Sequence, residues 1–229
     1  MIAGIIFDKD GTLFDFQASW GNWALRMLCD LAQGDQILLH RLAESLRFDL
    51  QTTRFHPDSF VIADTPEAIA LVLAAEMPQT EAPALLARIN AASEQATMVE
   101  AAPLVPLILE LEARGIRLAV VTNDAEAPAR AHLAEAGIEH AFDQVIGFDS
   151  GHGAKPSPRP LLACAKALGL DPKRMVMVGD STHDLAAGRA AGMITVGVLT
   201  GPADTATLSP LADVVLPDVG HLPRWLDAR

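Results

Sequence analysis

Ile2-Ala3-Gly4-Ile5-Ile6-Phe7 runs directly into Asp8-Lys9-Asp10-Gly11-Thr12-Leu13-Phe14-Asp15. An apolar run rich in β-branched and aromatic residues that ends abruptly in carboxylates and a glycine reads as a buried parallel strand, delivering its C-terminal end to a site. Ligands of open α/β sheets bind at that edge. Carboxylates at positions 8 and 10 of a crowded, partly desolvated mouth are costly and call for positive charge nearby. Two jobs justify them: one carboxylate binds a hard cation while acting as nucleophile, and the other gives and takes a proton. The competing reading is a strand followed by an Asp-Gly turn with solvated acids.

After Asp15 the pattern turns helical. Over 17 to about 32, Trp20, Trp23, Ala24, Met27, Leu28 and Leu31 recur at three and four and form one apolar face that stops at Gly34. A second helix is expected over 35 to about 48, with Ile37, Leu38, Leu42 and Leu46 on a stripe, and 51 to 60 reads as a polar loop. Asp64-Thr65-Pro66-Glu67 starts a third helix, carrying Ile69, Val72, Leu73 and Met77. Thr80 opens an alanine-rich fourth that runs toward Val99. Residues 16 to 100 therefore read as an all-helical insertion without strands.

Beyond it the pattern alternates. A helix over 103 to 114 closes at Gly115, and a strand over 116 to 122 ends in Thr122-Asn123-Asp124. A helix over 125 to 136 and a short strand over 143 to 147 lead to the loop Gly151-His152-Gly153-Ala154-Lys155-Pro156. There Ser157 and Pro158 are placed to cap and begin a helix ending at Gly169. A strand over 174 to 179 ends in Gly179-Asp180-Ser181-Thr182-His183-Asp184, followed by a helix closed by Gly192, a strand over 193 to 198 and an edge strand over 213 to 216. This alternation implies an α/β, doubly wound, mostly parallel sheet.

The 229 residues suffice for a proper core, and 50% hydrophobic with 20% charged residues is a globular composition. With 17 Lys plus Arg against 29 Asp plus Glu, the net charge of -12 repels nucleic acid and anionic membranes. Cys29 and Cys164 form no Cys-x-x-Cys pair and are expected to be buried thiols. The short apolar start before Asp8 does not fit a signal peptide, and no run is long enough to span a membrane, so a cytoplasmic location is expected. A monomer and a cap-mediated homodimer are both compatible with the alanine-rich helices.

Parallel strands present their C-terminal ends to one edge, so Asp8 and Asp10, Thr122, Lys155, Asp180 and Asp184 from separate segments converge on one crevice. Three or four carboxylates near one point suit Mg²⁺, whereas zinc would call for histidine or cysteine ligands. Thr122 offers a hydroxyl and the backbone after it, at Asn123, offers N–H groups, both matched to phosphate oxygens. Lys155 supplies a point charge. In the insertion, Arg54 and His56 are candidates to meet a substrate carboxylate, and Trp20 or Trp23 to line the entrance.

The combination of Asp8-Lys9-Asp10-Gly11-Thr12, strand-end Thr122, Lys155-Pro156 and Gly179-Asp180-Ser181-Thr182-His183-Asp184 resembles the haloacid dehalogenase superfamily, in its phosphoglycolate phosphatase-like branch with a helical C1-type cap. The resemblance spans the whole chain and implies a Rossmann-like core of residues 1–15 and 101–229 with a cap of residues 16–100. It implies that Asp8 attacks phosphorus and becomes an aspartyl phosphate, and that Asp10 protonates the leaving alkoxide and then deprotonates water. It places Mg²⁺ on the Asp8 side chain, the Asp10 backbone carbonyl and Asp180, with Asp184 orienting a metal-bound water or Lys155. Dehalogenases of the superfamily lack the counterpart of Asp10, so its presence points to phosphate ester chemistry on a small phosphorylated metabolite, 2-phosphoglycolate first. A phosphosugar mutase of the β-phosphoglucomutase type and a non-enzymatic binding protein are the alternatives. Lys9 stands where the family more often has an apolar residue, and its side chain is expected to turn from the sheet edge.

Overall fold

A computed structural model describes residues 2–94 and 96–229. Its centre is a six-stranded parallel sheet, in the order β5-β4-β1-β6-β7-β8. The strands are β1 (Gly4–Phe7), β4 (Arg117–Val121), β5 (Gln144–Ile146), β6 (Met175–Gly179), β7 (Ile194–Val198) and β8 (Val214–Leu216). β1 lies between β4 and β6, with Gly4 opposite Arg117 on one side and Met175 on the other. All four β1 residues are buried, which is why the strand reads as an unbroken apolar run.

Alternation sorts the strand residues onto two faces. Ile5, Phe7, Val120 and Val178 pack with helices α5 (Leu104–Ala113) and α6 (Glu126–Glu135) and with the helix Leu222–Asp227. Ile6, Val121 and Met177 pack with α7 (Arg159–Leu168) and α8 (Thr182–Ala190) on the other. The chain changes faces between α6 and α7, and the crevice that binds ligands in doubly wound sheets opens at such a switch.

The insertion holds α1 (Phe16–Ala32), α2 (Gln36–Ser45), α3 (Pro66–Glu76) and α4 (Ala82–Ser93) around an apolar cluster of their own. Side-chain caps set three of the starts: Asp15 accepts from the amide of Ala18, Asp35 from Ile37 and Leu38, and Thr65 from Ala68. Its two connections run side by side, the amide of Asp15 bonding to the carbonyl of Val99 and that of Ala101 to Leu13, each at 2.8–2.9 Å.

Several expectations are corrected here. The insertion contains strands, a two-residue antiparallel pair of β2 (Phe48–Asp49) and β3 (Arg54–Phe55). It forms because Arg47 and Thr53 take positive φ and fold the segment back after α2 ends at Ser45, short of the expected 48. α4 starts at Ala82 and stops at Ser93; of its expected extension, Gln95 lies outside the described residues. Pro158 occupies the N-cap of α7, and Ser157 instead accepts from the amide of Arg159. Cys29 is exposed, since it lies on the outer side of α1, whereas Cys164 is buried with its thiol pushed up to about 12 by burial. No helix among the described residues is long and apolar enough to cross a membrane.

Candidate active site

Asp8 follows β1 directly, and its amide bonds to the carbonyl of Val178 on β6 at 2.9 Å, which fixes the strand end. Its carboxylate meets Lys155 Nζ at 2.7 Å, and the same ammonium lies 2.6 Å from Asp184 Oδ1. All three residues are buried. Burial by itself would lower the pKa of Lys155, but Asp184 and Asp8 outweigh it and hold the ammonium above its ordinary value. Burial, reinforced by Asp184 and Asp10 and opposed by Lys155, pushes the Asp8 carboxyl up to about 7.

Lys155 is held by its backbone. Its amide donates to Asn123 Oδ1 at 2.8 Å, and Asn123 Nδ2 donates to the carbonyls of Lys155 at 2.9 Å and of Ala63 in the insertion at 2.7 Å. The Lys155–Pro156 peptide bond is cis. Asn123, expected to bind substrate, thus spends its side chain on bracing Lys155 against the insertion. Thr122 is buried at the end of β4, its hydroxyl accepting from the amide of Asp124 at 3.0 Å.

Asp184 belongs to a capping box that starts α8, its Oδ2 accepting from the amide of Ser181 at 3.1 Å and from the Ser181 hydroxyl at 2.6 Å. This leaves Oδ1 aimed at Lys155. Asp180 is almost fully buried; Thr12 donates to its Oδ1 at 3.4 Å, while Oδ2 has no hydrogen-bond partner. Gly11 and Gly201 approach this carboxylate so closely that a Cβ at either position would collide with it.

Carboxylate oxygens of Asp8, Asp180 and Asp184 lie within 4.8 Å of one another. Burial, Asp184 and Asp8 raise the Asp180 pKa well above the ordinary carboxylate range. Three buried acids with an orphaned oxygen fit a hard divalent cation that accepts oxygen ligands. The converging side chains include Asp184 and leave out that of Asp10.

Asp10 is turned to other partners. Lys9 Nζ lies 2.9 Å from its Oδ2, and the indole N–H of Trp20 donates to its Oδ1 at 2.7 Å. Asp8 and Asp10 nevertheless line one cleft, with Thr122, Asn123, Lys155, His183 and Asp184 on the core side. The facing wall comprises Phe16, Trp20, Trp23, Phe55, Val61, Ile62, Ile69 and Ile89. Both tryptophans line it and also pack edge-to-face at 5.0 Å. Arg54 is exposed on β3 and is absent from this wall, as is His56.

Sequence reasoning missed three participants. His183 lines the cleft and bonds through Nδ1 to the Ala63 carbonyl at 3.1 Å, tying α8 to the insertion. Asp124 pairs with Lys9 at 3.0 Å, and His132 Nδ1 lies 3.0 Å from the same ammonium. An available signal was the lysine itself, since a cation at the buried end of a central strand requires acids close by.

A family model described as haloacid dehalogenase-like hydrolase matches residues 2–192. A phosphoglycolate phosphatase of Neisseria meningitidis serogroup A is 44% identical over 115 residues, 49% of this chain and 48% of that protein. The chain thus spans about half the length of the first curated relatives it matches. A phosphoglycolate phosphatase of Escherichia coli K12 is 30% identical over 219 residues, covering 87% of this chain and 82% of that one. Among solved structures, a protein of Haemophilus somnus 129PT described as a predicted phosphoglycolate phosphatase superposes with a TM-score of 0.75 at 21% identity, over 98% of each chain, and shows the same fold. With its strand-end acids, its buried lysine and a family match that runs from the first strand through α8, this chain belongs to the haloacid dehalogenase-like hydrolases.

Proposed function

We propose that this protein is a Mg²⁺-dependent phosphatase that hydrolyses a small phosphomonoester through an aspartyl phosphate on Asp8, with residues 16–100 serving as the cap over the core. The observation that carries it is the pairing of Asp8 with Lys155 beside Asp180 and Asp184, with a further acid, Asp10, on the same cleft.

An Asp8 carboxylate oxygen attacks phosphorus in line as the ester P–O bond breaks. Asp10 gives its proton to the departing oxygen, so the alcohol leaves neutral. A water then attacks the phosphorus of the aspartyl phosphate, Asp10 takes its proton, and inorganic phosphate leaves with Asp8 restored. Lys155 offsets charge on Asp8 and on the transferring group, held in place by Asp184 and by the Asn123 brace on its backbone. Thr122 and the backbone N–H of Asn123 are placed to receive phosphate oxygens. Mg²⁺ held by Asp8 and Asp180, with the Asp10 carbonyl and Asp184 alongside, would supply charge to offset that of the phosphoryl oxygens.

The names of the relatives make 2-phosphoglycolate the first ester to test. Among the described residues that line the cleft, Lys155 is the sole lysine or arginine and it is already paired, so the panel also includes esters whose alcohol carries no second charge. Phosphate release is measured with Mg²⁺ and with chelator, and with Asp8→Asn. Release that needs both Mg²⁺ and Asp8 is expected, with the variant down by at least about 10⁴-fold. No release from any ester contradicts the reading, and interconverted sugar phosphates in its place would indicate a mutase.

A further inference from the structure

Lys9 is completely buried and forms no part of the cleft wall, yet it lies against a residue that does. An ammonium has three N–H donors, and three partners surround this one. Asp10 Oδ2 is at 2.9 Å, Asp124 Oδ2 at 3.0 Å and His132 Nδ1 at 3.0 Å. Two carboxylates at ion-pair distance call for the charged ammonium here. His132 Nδ1 must therefore accept, which leaves the ring proton on Nε2, where it donates to the Ser93 carbonyl at 2.7 Å. Burial and the Lys9 charge lower the His132 pKa, in keeping with a neutral ring. Trp20 completes the arrangement, its N–H on Asp10 Oδ1 and its ring 5.2 Å from the ammonium.

We infer that Lys9 is a positioning residue for Asp10: its ammonium, locked by Asp124 and His132, sets the Asp10 carboxylate on the cleft wall, in line with the leaving-group oxygen. The inference rests on the phosphatase reading above. The lock reaches from β1 to the residue after Asn123, to α6 and to the last residue of α4, so the cap contributes to it through Ser93 as well as Trp20. A plain counter-charge would need one carboxylate. The Lys9 site adds a neutral acceptor whose other nitrogen is itself tied down, and this restricts the ammonium in direction as well as charge.

The test exploits leaving-group basicity. Loss of an alkoxide needs the Asp10 proton, whereas loss of 4-nitrophenolate needs it little. Since kcat/KM covers every step through departure of the leaving group, it is compared for 4-nitrophenyl phosphate and for the fastest alkyl ester of the panel. Lys9→Met is expected to lower kcat/KM by about a hundredfold on the alkyl ester and by no more than about fivefold on the aryl ester. His132→Leu, outside the cleft, lowers the alkyl value by about tenfold with the same selectivity, and His132→Gln, which keeps an acceptor for Lys9 and a donor for Ser93, recovers most of it.

Equal losses on the two esters, or no loss, in folded Lys9→Met overturn the inference. If thermal melting shows that Lys9→Met does not fold, the His132 pair decides: equal losses in His132→Leu, or no recovery in His132→Gln, overturn it. Wild-type turnover of both esters that vanishes in Asp8→Asn separates these results from failure of the phosphatase reading. A wild type inactive on both esters refutes that reading and takes this inference with it.

Discussion

On the core wall of the cleft, Asp8, Asp180 and Asp184 share a buried spot with one lysine, and an oxygen of Asp180 has no partner. The cap wall opposite is built of Phe16, Trp20, Phe55, Ile69 and Ile89, packed into a continuous apolar cluster. The core wall gathers three acids around one ammonium, a like-charge density that lowers the stability of the empty protein and that a divalent cation would relieve. These cap-wall residues carry no charge of their own; apart from Trp20, whose indole N–H holds Asp10, they are where packing alone would put them. Charge is thus gathered on one side of the cleft and apolar packing on the other.

The larger test of this division uses the cation. Because burial and neighbouring acids raise the pKa of Asp8 from 3.8 to about 7, and raise that of Asp180 as well, the folded metal-free protein binds more protons than the unfolded chain over that range. Stability contributed by these protons is present at low pH and is lost as pH rises toward about 7. Mg²⁺ competes with the same protons. The rise in melting temperature on adding Mg²⁺ is therefore expected to be greater at about pH 7.5 than at about pH 5.5, with roughly 3 kcal/mol of stabilisation at a hundredfold excess over Kd. An equal rise at both pH values would dissolve the contrast between the walls.

A smaller effect sharpens the cap side. Ile69→Val, at a buried cap-wall position, is expected to cost about 1 kcal/mol of stability by denaturant unfolding. That cost should be the same with and without Mg²⁺, and kcat should stay within about threefold. A cost that changes with Mg²⁺ would show that the cap wall shares in the charge balance.

The same division explains what the sequence disclosed. Asp8, Thr122, Lys155 and Asp180 were legible because a parallel sheet sends every strand's C-terminal end to one edge, so order along the chain is enough to bring them together. Gly34, Gly169 and Thr65 marked helix ends for equally local reasons. The Lys9 lock was not legible, since Asp124, just after β4, and His132, on α6, are more than a hundred residues from Lys9 and meet it only in the folded chain. The position of Asn123 after β4 suggests a backbone N–H for phosphate; the bonds that engage its side chain come from Lys155 and Ala63, which no local pattern links to it. The small β2–β3 pair escaped notice because two residues are too few for a periodicity, and its turn places Arg54 outside the cleft.

In the proposed reaction Asp8 supplies the oxygen that attacks phosphorus. The most direct measurement is a rapid acid quench of Asp10→Asn during turnover of 4-nitrophenyl phosphate, whose leaving group needs little help from the Asp10 proton, with Mg²⁺, followed by peptide mass analysis for a bound phosphoryl group. Removing the base that activates water slows hydrolysis of the intermediate, so the phosphoryl group is expected on the peptide carrying Asp8, at a substantial fraction of enzyme, and absent with chelator. A phosphoryl group on another residue such as His183, or phosphate release with no phosphorylated peptide at any quench time, would contradict the account.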